Sequence, residues 1–110
     1  MNLKHFYNQT RVPLTIAIVV TSQNSVSTGL TAAEVTHKFS INPGQDCKLE
    51  YGTLECSYIK AINISYEVSG IRYESNQEVL SPDAELAGVL NEGSYVAITH
   101  VSPPAFESDA

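Results

Sequence analysis

The residues of this 110-residue chain that could do chemistry are three histidines, two cysteines, six tyrosines and twelve acids. His37 and His100 are the candidate general bases. His37 shares an alternating set with Val35, Phe39 and Ile41, and His100 follows Val96 and Ile98 two residues before Ser102. An imidazole beside an acid in a cleft would serve a small hydrolase or isomerase. Neither histidine belongs to a catalytic motif: there is no G-x-S-x-G elbow, no H-E-x-x-H pair and no glycine loop to cradle a phosphate. A histidine on a strand then reads first as a structural or surface residue. The acids are dispersed, several of them opposite expected cross-strand partners or at a helix start. They read as a solvated face rather than as a paired-carboxylate site.

Cys47 and Cys56 bracket the segment CKLEYGTLEC. Folded about a Tyr51-Gly52 turn, it pairs Leu49 with Leu54, Lys48 with Glu55 and Cys47 with Cys56. At a non-hydrogen-bonded position the two cysteines would stand about 4.5 Å apart at Cα, the short end of the disulfide range. In a reducing compartment they are small core-facing residues with free thiols, which is the preferred, cytoplasmic reading. In an oxidising one they form a cross-strand disulfide of a periplasmic or secreted domain. No second Cys or His pair stands at ligand spacing, so the sequence implies no metal and no cofactor.

Tyr66, Tyr73 and Tyr95 are the candidate contact residues, since tyrosine offers a flat apolar body with a polar tip. The element that positions the first two is read from residues 62–77, INISYEVSGIRYESNQ. A two-residue Ser69-Gly70 turn pairs Val68 with Ile71 and Tyr66 with Tyr73 on one face, and sets Glu67 opposite Arg72 on the other. The bland alternative for these aromatics is a half-buried sheet face that only packs.

Six basic residues against twelve acidic ones leave a formal charge of −6, and the six are scattered. Such a surface repels phosphate backbones, which argues against a nucleic-acid partner and against a polybasic membrane anchor. The longest unbroken apolar run, 16–20, is far short of the roughly 20 residues of a membrane-spanning helix. Lys4, Arg11 and residues 12–20 can be read as a secretory signal or as a buried strand, and the strand is preferred. Asn8-Gln9-Thr10 and Asn63-Ile64-Ser65 match the glycosylation tripeptide, but such matches are frequent by chance and both are discounted.

Residues 12–21 are rich in β-branched side chains and read as a strand buried on both faces. Residues 34–41 alternate with period two and read as a strand, with one helical turn allowed before it by Thr31-x-x-Glu34. Asn42-Pro43-Gly44-Gln45 is turn chemistry. Ser81-Pro82-Asp83 opens a short helix over 82–90, which Asn91-Glu92-Gly93 closes. Residues 95–101 form the last strand, and a flexible tail follows from about 102. The expectation is one mainly β domain over 1–110, a small antiparallel curled sheet or partly open barrel of about six strands with one short helix.

The run YEVSGIRY, a variable stretch, Glu92-Gly93-Ser94-Tyr95-Val96-Ala97-Ile98 and Pro103-Pro104 together resemble a family of uncharacterised small bacterial β domains. Its members carry a YxVxGxxY hairpin, a GxxVxV strand and a proline-containing end. Here the last strand continues through Thr99-His100-Val101, where that family tends to a tyrosine-rich run. The resemblance implies a β fold and no activity or catalytic residue. The expected function is a non-enzymatic binding or interaction module that uses an aromatic sheet face or an edge strand. Its partner would be a second copy in a homodimer, another protein or a small ligand.

Overall fold

A computed structural model describes residues 2–21, 34–52, 58–79, 85–101 and 104–108. Within them the chain forms β1 (Asn2–Asn8), β2 (Leu14–Thr21), β3 (Val35–Ile41), β4 (Asp46–Tyr51), β5 (Tyr58–Val68), β6 (Ile71–Glu78), α1 (Glu85–Asn91), β7 (Tyr95–Val101) and β8 (Pro104–Ser108). The strands make two four-stranded sheets, in the orders β4-β1-β7-β8 and β3-β2-β5-β6. The first is mixed, because β1 runs parallel to β7; the second is antiparallel throughout. The expected mainly β architecture is present, but not as one curled sheet: the strands split into two sheets and do not close a barrel.

One apolar cluster lies between the sheets. Phe6, Val96 and Ile98 come from the first sheet; Leu14, Ile16, Ile18, Val20, Ile59, Ile62 and Ile64 come from the second. The Phe6 and Phe39 rings meet across the gap with centroids 5.0 Å apart. β2 alternates along most of its length: Leu14, Ile16, Ile18 and Val20 are buried while Thr15, Ala17 and Val19 are only half-buried. This corrects the expectation of a strand buried on both faces. Among the described residues, one face of the second sheet has a sheet packed against it, and that is the face sealed from water.

β1 carries two polar residues into that interior. Lys4 is 2% exposed, and its ammonium donates to the Leu90 carbonyl at the end of α1. A cation at a helix C-terminus satisfies an orphan carbonyl and complements the local dipole. Asn8 is equally buried and uses its whole amide. Nδ2 donates to the Val12 carbonyl at 2.8 Å and the Ile41 carbonyl at 3.0 Å, while Oδ1 accepts from the Thr10 N–H at 2.9 Å and hydroxyl at 2.6 Å. An amide so engaged inside the fold is unavailable for glycosylation, so Asn8-Gln9-Thr10 is a structural knot.

The turns follow their residues. At Asn42-Pro43-Gly44-Gln45 the Gln45 N–H donates to the Asn42 carbonyl at 3.1 Å, with Gly44 at φ 75°. Proline then glycine at the two central positions is the type II pattern. This turn carries the chain from β3 in one sheet to β4 in the other, and it is stitched to β1 by Gly44 N to Asn8 O at 2.8 Å and Asn8 N to Gln45 O at 2.9 Å.

The helix ends as expected, with Gly93 at φ 83° just beyond it. The start expected at Ser81-Pro82-Asp83 lies outside the described residues. The tail expected from about 102 is corrected: Pro104–Ser108 forms β8, paired antiparallel with β7 from Val96↔Ser108 to Val101↔Pro104. The second half of the Cys47–Cys56 hairpin, 53–57, also lies outside the described residues. Its first half, β4, pairs with β1, Cys47 opposite Phe6 and Tyr51 opposite Asn2. No helix among the described residues is long and apolar enough to cross a membrane.

Candidate functional site: the β5–β6 arm

β5 and β6 form the hairpin read from the sequence, in the expected register: Val68↔Ile71, Glu67↔Arg72 and Tyr66↔Tyr73. Ser69 at φ 53° and Gly70 at φ 79° supply the two left-handed positions of a type I′ turn. The face of β5 that holds Ile62 and Ile64 in the core continues through Tyr66 and Val68, because side chains two apart share a face. Towards the turn that face becomes exposed. Val68 is 42% exposed, Ile71 57% and Tyr73 44%. Tyr66 stays half-buried against the core and stacks on Tyr73, ring centroids 5.2 Å apart and planes 15° apart. The arm thus carries a stacked aromatic pair, anchored on the core side and exposed at the tip.

The opposite face of the same sheet is polar. Ser40, Thr15, Ser65 and Glu74 lie in one row across its four strands. The Thr15 and Ser40 hydroxyls are 3.4 Å apart, and Ser65 Oγ donates to the Thr15 carbonyl at 3.4 Å. Asn63 Nδ2 donates to Glu74 Oε1 at 3.0 Å. A groove of about 570 Å³ runs along this region, with Lys38 and Arg72 among its lining residues beside Pro13, Thr15 and Ser65. Glu67 stands opposite Arg72 as expected, but the Arg72 guanidinium reaches Glu74, at 3.9 Å.

The other predicted residues are placed elsewhere. Tyr95 does not join Tyr66 and Tyr73: it lies on β7 in the other sheet, edge to face with Tyr7 at 5.7 Å. Tyr7 in turn stacks with His5 at 6.1 Å, and His5 Nδ1 lies 3.4 Å from Asp46. Sequence reasoning missed this cluster because it depends on β1 lying between β4 and β7. His37 is on β3 opposite Ile18, its Nε2 buried without a hydrogen-bond partner among the described residues. His100 is exposed on β7, with Nδ1 3.1 Å from the Thr99 hydroxyl. The two candidate bases therefore sit in different sheets and share no site. Cys47 is half-buried against the core; Cys56 lies outside the described residues.

Burial raises the pKa of Tyr51 and of Tyr58, since desolvation disfavours the phenolate. Tyr58 also keeps its hydroxyl buried without a partner among the described residues. Among those residues no group of three or more His, Cys, Asp or Glu is placed to hold a metal ion. Comparison of the chain with protein-family models, curated proteins and solved structures gives no match.

Proposed function

We propose that this domain is a binding module whose β5–β6 arm docks a protein partner. The supporting observation is the run of three large apolar side chains at the arm's tip, Val68, Ile71 and Tyr73, each at least two-fifths exposed. Single exposed apolar residues are ordinary, but three adjacent ones on a structured hairpin, backed on its other face by Glu67 and Arg72, have the make-up of an interaction patch. The stacked Tyr66–Tyr73 pair holds the tip in one shape before any partner arrives, which lowers the ordering cost of binding.

The test is a peptide-display selection against the immobilised domain, with Ile71→Asp and Tyr73→Ser as counter-targets. Peptides that bind the parent and lose at least tenfold in affinity on either variant support the reading. Peptides that bind parent and variants alike would place the partner surface elsewhere.

The groove on the polar face favours a second reading, a small anionic or polyol ligand held by hydroxyls and by Lys38 or Arg72. A thermal-shift screen with carboxylates and polyols separates the two. A dose-dependent rise in Tm that Lys38→Ala abolishes would favour the groove.

A further inference from the structure

β6 is the edge of its sheet, and the parity of its main-chain groups is readable. In a two-residue hairpin the flanking residues, here Val68 and Ile71, make the first hydrogen-bonded pair. Odd-numbered residues of β6 therefore point N–H and C=O at β5. Past the end of the strand, the Val79 N–H donates to the Lys60 carbonyl at 2.7 Å, in the same parity. The even residues, Arg72, Glu74, Asn76 and Glu78, turn their main-chain groups outward to an edge that no strand among the described residues covers. An eight-residue edge strand without proline or bulge is a template for a further strand.

We propose that the occupant of this edge is β6 of a second copy of the chain, paired antiparallel across a two-fold axis. The proposal rests on the reading of the arm as a docking surface, and it names the partner. Charge complementarity selects both the partner and the register. When Ser75 faces Ser75 of the second copy, all four outward residues find outward partners. Arg72 then lies opposite Glu78 of the other copy, twice over, and Glu74 lies opposite Asn76. Among the described residues, the ion pairing of Arg72 within one chain is a 3.9 Å contact to Glu74, and no ion pair engages Glu78. Sliding the strands by one pair in either direction sets Glu74 against Glu74 or against Glu78, which like-charge repulsion disfavours. A larger slide leaves half the outward groups unpaired. On the apolar face the same register brings Tyr73 beside Gln77, and Ile71 next to the residue after the strand, Val79. The two sheets merge into one of eight strands, and the two arms cover each other's edge.

The experiment is light scattering over a concentration series, with a charge swap and a cross-link. The parent chain should pass from monomer to dimer as concentration rises. Arg72→Glu and Glu78→Arg should each raise the dissociation constant about tenfold or more, and the double variant R72E/E78R should return to near the parent value. All three sites are exposed or on the surface strand, and circular dichroism checks that the fold is kept. Ser75→Cys should form an intermolecular disulfide on mild oxidation, because a non-hydrogen-bonded pair sets the two Cα atoms about 4.5 Å apart. Tyr73→Cys and the parent, with its two native cysteines, should not. A monomer at every concentration overturns self-pairing and leaves the peptide selection to decide the arm by itself. A dimer indifferent to the charge variants, or cross-linked no better by Ser75→Cys than by Tyr73→Cys, overturns this edge and register.

Discussion

Asn91 holds Ile59 by both ends of its amide: Oδ1 accepts from the Ile59 N–H at 2.7 Å, and Nδ2 donates to the Ile59 carbonyl at 2.9 Å. The last residue of α1 thus bonds the main chain at the start of β5, as a neighbouring strand would. Ile59 is fully buried, so water cannot take over either bond. Asn91→Ala should destabilise the fold by about 2–3 kcal/mol, the cost of two stranded main-chain groups. Asn91→Asp should do no better, because it sets a carboxylate oxygen against the Ile59 carbonyl. Urea unfolding measures both, and a loss below about 0.5 kcal/mol for Asn91→Ala would mean that the clasp contributes nothing.

Asn8 makes a stronger case at the crossing of β1, β2 and the Pro43-Gly44 turn. Asn8→Ala leaves the Val12 and Ile41 carbonyls without their donor and should cost about 2–3 kcal/mol. Asn8→Asp should cost more than Asn8→Ala, since it aims one carboxylate oxygen at both carbonyls. The order of the two midpoints in denaturant is the check.

The arm's turn can be improved. Ser69 is the one non-glycine among the described residues with positive φ, at 53°. Asparagine tolerates that region better, and Asn-Gly is the favoured type I′ pair. Ser69→Asn should raise stability by a few tenths of a kcal/mol to about 1 kcal/mol. Gly70→Ala meets no neighbour within 4 Å, so any loss, about 1 kcal/mol, comes from backbone strain at φ 79° alone. Thermal melts of both variants read these opposite signs.

Alkaline conditions should weaken the fold through Tyr51 and Tyr58. Each hydroxyl holds its proton more tightly folded than unfolded, because burial raises its pKa above the usual 10.0. Above the unfolded value the folded state binds more protons, so stability is intact below about pH 10 and falls as pH rises towards the folded pKa values. Tm measured from about pH 8 to about pH 12 should drop more steeply in the parent than in the double variant Tyr51→Phe, Tyr58→Phe. Equal slopes would show that other groups govern the alkaline limb.

What the sequence determined by itself is local. The β5–β6 register follows from one alternating run and two turn residues, and the structure reproduces it pair by pair. The strand read at 34–41 and found at 35–41, the Pro43-Gly44 turn and the bounds of the strand at 95–101 were legible for the same reason: period-two patterning and turn chemistry act over a few residues. Tertiary structure decided which sheet each strand joins. β1 escaped detection because Lys4 and Asn8 occupy core positions, and a polar residue is acceptable there only when distant partners, Leu90, Val12 and Ile41, satisfy it. β8 was hidden in proline-rich, acidic sequence because its pairing with β7, not its own pattern, makes it a strand. Tyr95 was separated from Tyr66 and Tyr73 by the same partition, since a residue's neighbours across a sheet depend on strand order, and strand order is a balance of burial summed over the whole chain.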